Sequence, residues 1–458
     1  MEKQFAPLHT RAESYEIGKA LRHEMPRRSN GEWRSGKDRL DPVTILEQQG
    51  KSRIQNLLPI RYARMRVSPL AFLRGAAAVM ASDLGETPAA GLRVQSCGDC
   101  HLANFGSYAT PEAIPVFDIN DFDETAPAPF EWDLKRLSTS LVLAGREAGL
   151  RARECRELAS VMAQSYAKEI EGLAQLTPFQ AWNSRIDLLK IIGDMAGHRA
   201  RDKLRARLSR QLDSISHQFG MIEPGKMPHL RERPPLVQRL PEHDDAVREA
   251  FKHYVDQLPP ERRIILQRYR LQDVIFKVVG VGSVGRFCAL GLYSTADGEP
   301  VILQIKEAQA SVLEAYAGKV HTTNHGERVV TGQRIMQAAS DAFLGWTRSM
   351  HSVSSHRLYD PSNAGHHFYV RQTKDTRLAA IGEQIENEIL PFYAALCGKT
   401  LGRAHARSAN LPMLAGYLGR GRGFSDAIAS FGVLYADQTE RDWKHFNDAI
   451  TEGRLKAA

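Results

Sequence analysis

The chain has 458 residues, 43% of them hydrophobic and 25% charged, with a formal net charge of +8. This is ordinary globular usage, and no apolar run approaches the roughly 18 residues that a membrane span needs, so a transmembrane protein is excluded. The basic balance favours anionic partners, among which nucleotides, phosphorylated metabolites, acidic proteins and nucleic acids are not distinguished by charge alone.

Residues 1–45 are polar and basic and read as an extended or loosely docked arm, without the basic-then-apolar region of a secretory signal. With five cysteines in no pairing pattern, this suits a reducing cytoplasm. Asp41-Pro42 opens a predicted helix through Gln49, and Ser68-Pro69 precedes an Ala-rich apolar helix. Arg64, Arg66 and Arg74 lie just ahead of the next segment, where they suit clamping phosphate or neutralising carboxylates.

That segment, residues 95–124, reads QSCGDCHLANFGSYATPEAIPVFDINDFDE. Phosphoryl transfer requires an acceptor for the substrate proton and hard oxygen ligands for Mg²⁺. Asp99 suits the first role and Asn104 and Asp118 the second, while Asp121 and Asp123 suit a second metal or a cationic acceptor. The same string contains Cys97-Gly-Asp-Cys-His101, the C-x-x-C-H pattern of covalent haem attachment. Haem is rejected for want of an export signal, and zinc because one Cys pair and His101 do not close a tetrahedron.

A helix carrying Trp132, Leu134, Leu137 and Leu141 on its core face follows, and helices are predicted from 152 to about 218. One of these is strongly basic around Arg205 and offers a nucleic-acid surface, although no aromatic residue interleaves the charges. Residues 220–242 are Pro-rich and read as an interdomain connection. Periodicity then turns to strand. Gly280, Gly282, Ser283 and Gly285 form a glycine-rich turn, with a strand rather than a helix after it, which argues against a dinucleotide-binding fingerprint. A hairpin at Asp297-Gly298 returns through a strand ending at Lys306. Glu314, three residues beyond Ser311, fits a capping box or a partner for Lys306, a role for which Glu327 competes. The strand 367–372 ends at Gln372 and leads toward a hinge at 373–375.

These motifs resemble the protein-kinase-like superfamily. Asp99 and Asn104 keep the interval of the catalytic aspartate and metal-binding asparagine of aminoglycoside and choline kinases, and Val116 to Asp121 resembles their metal strand. The glycine turn and Lys306 resemble the phosphate-covering loop and phosphate-pairing lysine of kinases, and CGKTLGRAHARSAN resembles the helix ahead of the catalytic loop in small-molecule kinases. The order is circularly permuted, as if a kinase-like chain had been opened before its catalytic loop. Over about residues 17–450 the chain also resembles an uncharacterised bacterial family, domain of unknown function 2252.

The resemblance implies an α+β, protein-kinase-like two-lobed fold, circularly permuted: an arm (1–45), a helical lobe (46–242), a small antiparallel β lobe (243–375) and helices completing the helical lobe (376–458). It implies ATP and Mg²⁺ as cofactors, with an unidentified hydroxyl as acceptor. Asp99 and Lys306 would be catalytic; Gly280, Gly282, Ser283, Gly285, Lys306, Glu314 and Gln372 would contact the nucleotide; Asn104, Asp118 and Asp121 would hold the metal. A regulatory pseudokinase, an AMP-transferring enzyme and a basic nucleic-acid-binding protein remain as alternatives. Lys306 is expected to point at Asp118, Glu314 or Glu327, and residues 271–375 to form five antiparallel strands.

Overall fold

Helix starts follow the capping signals. The Asp41 carboxylate accepts the Val43 and Thr44 amides at the head of helix Pro42–Gly50, and Ser68 Oγ accepts the Ala71 amide at the head of Pro69–Gly75. The Ala-rich stretch is two helices, Pro69–Gly75 and Ala77–Gly85, because the Gly75 carbonyl is taken by the buried Arg61 guanidinium at 2.7 Å instead of continuing the ladder. The computed structural model describes residues 9–112, 114–187, 190, 221–223, 228–278, 280–348, 366–373 and 389–458. The basic stretch around Arg205 and the hinge residues 374–375 lie outside the described residues.

The sheet contains β7 (Val237–Gln238), β8 (Arg270–Lys277), β9 (Cys288–Ser294), β10 (Pro300–Ala308), β11 (Gly345–Arg348) and β12 (His367–Gln372), in the order β11-β12-β10-β9-β8-β7. Every pairing is antiparallel. Five of these strands come from the segment predicted to supply five, and the sixth comes from residues read as a connection. Alternation gives the sheet two faces. Val274, Phe276, Ala289, Leu303, Ile305, Phe368 and Val370 pack on Phe251 and Tyr254 of helix Pro241–Gln257, where burying each large apolar side chain contributes about 1.5–3 kcal/mol. The opposite face presents Cys288, Lys306 and Tyr369, aligned across β9, β10 and β12.

The larger, helical part is built on Phe130–Glu147, Ala152–Leu173, Leu390–Ala406 and Arg422–Thr451. Leu134, Leu137 and Leu141 meet Met162, Tyr166, Cys397 and Leu401 in one cluster; Trp132 is buried in a second. The expected arm is instead a docked helix, Arg11–Glu24, with a Thr10/Glu13 capping box. Arg22 and Arg27 hold it by donating to the Tyr417 and Leu418 carbonyls at 3.0 and 2.8 Å. Among the described residues no helix is long and apolar enough to cross a membrane.

Candidate functional site

The loop carrying Asp99 runs between two short hairpins, one pairing β1 (Arg93–Ser96) with β4 (Ala126–Pro129), the other pairing β2 (Phe105–Ala109) with β3 (Pro115–Ile119). Gly98 has φ +79°, and a Cβ there would lie 2.2 Å from the Glu124 carbonyl oxygen. Only glycine lets this loop press against the acidic turn 120–125. The loop is held from beneath: the buried Asp133 carboxylate accepts the Cys97 and Gly98 amides at 2.8 and 3.1 Å and meets His405 Nε2 at 3.1 Å. His405 Nδ1 in turn meets the Tyr166 hydroxyl at 3.0 Å. Asn104 Nδ2 donates to the Asp99 carbonyl at 2.8 Å, which ties the two ends of the loop together.

Asp99 Oδ1 accepts two bonds from Arg136, from Nε at 2.8 Å and Nη2 at 2.5 Å, while Oδ2 lies 3.9 Å from His101 Nε2. Burial raises the Asp99 carboxyl above its ordinary range; Arg136 pulls it down without cancelling that effect, and Asp121 and Glu124 add to the rise. Burial, reinforced by Arg74 and Arg136, drives His101 well below its ordinary value, so its imidazole is neutral.

The glycine turn closes over this loop. A Cβ on Gly282 would lie 3.1 Å from the Arg74 carbonyl and 3.6 Å from Asp99 Oδ2, so the turn backbone comes down beside the carboxylate. Arg64 donates to the Gly280 carbonyl, Arg53 to Val284 at 2.6 Å, and the Ile54 amide to Gly285 at 2.8 Å. Lys306, 2% exposed, ion-pairs with Asp123 and donates to Ser283 Oγ at 2.8 Å. Ser283 donates onward to Asp123 at 3.1 Å, as does the Tyr369 hydroxyl at 2.7 Å. Burial disfavours the Lys306 cation, but Asp121 and Asp123 outweigh it and hold the ammonium above its ordinary value. Burial likewise disfavours the Asp123 anion, and Lys306 and Arg286 overcome that to hold the carboxyl below its ordinary range.

Between loop and turn lies a cleft of roughly 660 Å³, solvent at its mouth included, lined by Asp99, Asn104, Asp121, Asp123, Glu124, Gly280, Gly282 and Ser283, and by Arg53, Arg74 and Arg286. Arg286 pairs with Glu124 at 2.7 Å.

Of the residues singled out in the sequence, Asp99, Asn104, Asp121, Gly280, Gly282 and Ser283 meet at this cleft, and Lys306 stands directly behind Ser283 and Asp123. Asp118 does not line it. Phe117 and Ile119 point into the core, so alternation turns Asp118 the other way, where its carboxylate accepts the Ile119 and Ala338 amides at 2.9 and 3.1 Å. Glu314 is likewise elsewhere: it accepts the Ser311 amide at 2.9 Å and lies 3.7 Å from Arg328. Lys306 therefore points at Asp123, not at Asp118, Glu314 or Glu327. Gln372 pairs with Leu303 at the end of β12, and Gly285 backs onto Arg53. Sequence reasoning offered Asp123 only for a second metal or a cationic acceptor, and missed Glu124, Arg286, Arg136, Asp133 and His405. The one available signal was charge at core-spaced positions of the helix that starts Phe130-Glu-Trp-Asp.

Cys97, Cys100 and Asp133 place donor atoms within 4.8 Å of one another. Burial pushes the Cys97 thiol well up and the Cys100 thiol up to about 11, and the Asp133 carboxylate is occupied by two amides and His405.

The family model described as an uncharacterized protein conserved in bacteria (DUF2252) matches residues 53–449. The chain belongs to that family. No curated protein and no solved structure matches it.

Proposed function

We propose that this member of the DUF2252 family is an ATP- and Mg²⁺-dependent phosphotransferase with a circularly permuted, kinase-like two-lobed layout. The observation that carries the reading is the convergence of three segments far apart in sequence on one cleft: the Asp99 loop, the 120–124 acidic turn, and the Gly280–Ser283 turn with Lys306 behind it. Asp99 Oδ2 accepts the proton of an acceptor hydroxyl, and Arg136 fixes the carboxylate's orientation through the other oxygen. Asn104 and Asp121 hold Mg²⁺ with help from Asp123, so the metal role expected of Asp118 passes to the turn three to five residues on. The amides of the glycine turn cover the phosphates, and Lys306 pairs with them on leaving Asp123. Glu314 and Gln372 take no part.

A thermal-shift titration tests this. At a hundredfold excess over Kd, binding stabilises the native state by about 2.7 kcal/mol. With an unfolding entropy near 1 kcal/mol/K for a chain of this size, that raises Tm by about 3 °C. The shift should require ATP and Mg²⁺ together, and no shift at millimolar Mg-ATP would refute the nucleotide reading.

A further inference from the structure

The cleft is charged at two ends, and the second end has no place in the scheme above. Asp123 is matched by Lys306, Glu124 by Arg286, and Asp99 by Arg136. Arg53, 4% exposed and lining the cleft, has no salt-bridge partner among the described residues; its hydrogen bond goes to the Val284 carbonyl. Arg61, fully buried, bonds Gln49 Oε1 and the Gly75 carbonyl, and among the described residues its Nε and Nη1 have no partner. Arg286 Nε, also in the cleft, has none either. Buried cations cost several kcal/mol unless an anion meets them. Arg53 and Arg61 meet none among the described residues: Arg53 is held well below its ordinary value by burial and by Arg61 and Arg286, and burial brings Arg61 down to about 10.

Building on the phosphotransferase reading, we infer that Arg53, Arg74 and Arg286 form an oxyanion subsite for the acceptor, so that the acceptor is an anionic small molecule bearing a phosphate or carboxylate group. The placement favours the acceptor over the nucleotide. Lys306 and the glycine turn serve the triphosphate from the sheet side, whereas Arg53 and Arg74 come from the helices before the Asp99 loop and form the wall beside Asp99. Arg74 lines the cleft together with Asp99, and its charge reaches His101, which lies 3.9 Å from Asp99 Oδ2. An acceptor anchored there by its anion would present its hydroxyl to Asp99 Oδ2. Guanidinium forks suit such groups because they match the planar spacing of two oxyanion oxygens.

Calorimetric titration of the full chain with inorganic phosphate in EDTA tests this, using Arg53→Gln, Arg74→Gln and Asp121→Asn beside the wild type. Phosphate should bind the metal-free wild type, bind Arg74→Gln at least about tenfold more weakly, and bind Asp121→Asn no more weakly than the wild type. It should still bind with Mg²⁺ and a non-hydrolysable ATP analogue saturating. Should Arg53→Gln not fold, Arg74→Gln, at a half-buried position, still decides. Absence of phosphate binding, or equal binding to Arg74→Gln, overturns the inference, as does displacement of phosphate by the analogue, which would hand the arginines to the nucleotide. The analogue titrated alone with Mg²⁺ reports separately on the nucleotide reading.

Discussion

Lys306 and Asp123 form the ion pair on which the cleft closes, and breaking it from either side has a calculable cost. Lys306→Met leaves a buried carboxylate whose remaining partners are Tyr369 at 2.7 Å, Ser283 at 3.1 Å and Arg286 at 3.8 Å. Removing one member of a buried pair costs about 3–5 kcal/mol, and these three contacts put the loss near the lower end. At about 2.1 cal/mol/K per residue, the unfolding entropy of 458 residues is close to 1 kcal/mol/K. Tm should therefore fall by about 3 °C in Lys306→Met and by a similar amount in Asp123→Asn. The double variant buries neither charge and should lose less than the sum, giving a coupling of about 2–3 kcal/mol. The pH dependence has a fixed sign. Asp123, held below its ordinary range, contributes stability at all pH values above its unfolded pKa, which is lost only as pH falls through the lower folded value. Lys306, held above its ordinary value, contributes below its unfolded pKa and loses that only as pH rises through the higher folded value. The Tm gap between wild type and either single variant should thus be flat from about pH 4 to about pH 10. Differential scanning calorimetry measures all of it, and additive losses in the double variant would refute the pairing.

Asp118 and Asp121 should separate cleanly. Asp118→Asn trades an acceptor of the Ala338 or Ile119 amide for a donor and should lower Tm by about 1–3 °C, with the Mg-ATP shift intact, whereas Asp121→Asn should leave Tm nearly unchanged and abolish the magnesium-dependent part of that shift. Thermal melts with ATP, with and without Mg²⁺, read both, and a magnesium response lost in Asp118→Asn would restore it as the ligand. Lys135 is fully buried, donates to Thr87 Oγ1 at 3.2 Å, and lies 4.9 Å from the centroid of the Phe431 ring; burial, only partly offset by Glu131, pushes it down to about 8. Between pH 8 and its unfolded value the native lysine is neutral while the unfolded one is charged, so wild-type stability should rise by about 1.4 kcal/mol per pH unit relative to Lys135→Met, about 3 kcal/mol in all. A constant difference between the two melting curves across that range would show that Lys135 stays charged in the fold.

The sheet was readable because alternation, glycine turns and β-branched runs act locally: the five strands expected between 271 and 375 are there, and Asp297-Gly298 is a hairpin turn. The docking of Arg11–Glu24 was not, since it depends on the Tyr417 and Leu418 carbonyls some 400 residues away. The site divides in the same way. Asp99, Asn104 and Gly282 stood out because their chemistry depends on spacing within one loop or turn. Asp118 was chosen over Asp123 because its flanking Val, Phe and Ile resemble a metal strand, but those apolar neighbours turn it away from the cleft. The network behind Asp99 was hidden for a physical reason too. Asp133 and Arg136 lie on a helix whose apolar spacing is complete without them, and only tertiary packing shows that this helix is buried around most of its circumference.

The same packing fixes what Lys306 must give up to meet a phosphate. Two opposite charges about 4 Å apart at an effective dielectric constant near 20 attract by about 4 kcal/mol, and Lys306 spends that attraction on Asp123. For a nucleotide phosphate to take the ammonium, Asp123 must be left without its principal counter-charge in a site where Tyr369 and Ser283 donate neutral hydrogen bonds and the remaining cation, Arg286, lies 3.8 Å away. On the proposed reading, Asp121 and Asp123 would hold a divalent cation, whose charge would replace that of the Lys306 ammonium. On that reading, metal and nucleotide therefore bind with positive coupling, each relieving a cost that the other would otherwise bear. By reciprocity of linkage, ATP must tighten Mg²⁺ by the same factor that Mg²⁺ tightens ATP. Asp123→Asn weakens this coupling from the protein side, because its uncharged amide no longer needs replacing when Lys306 departs.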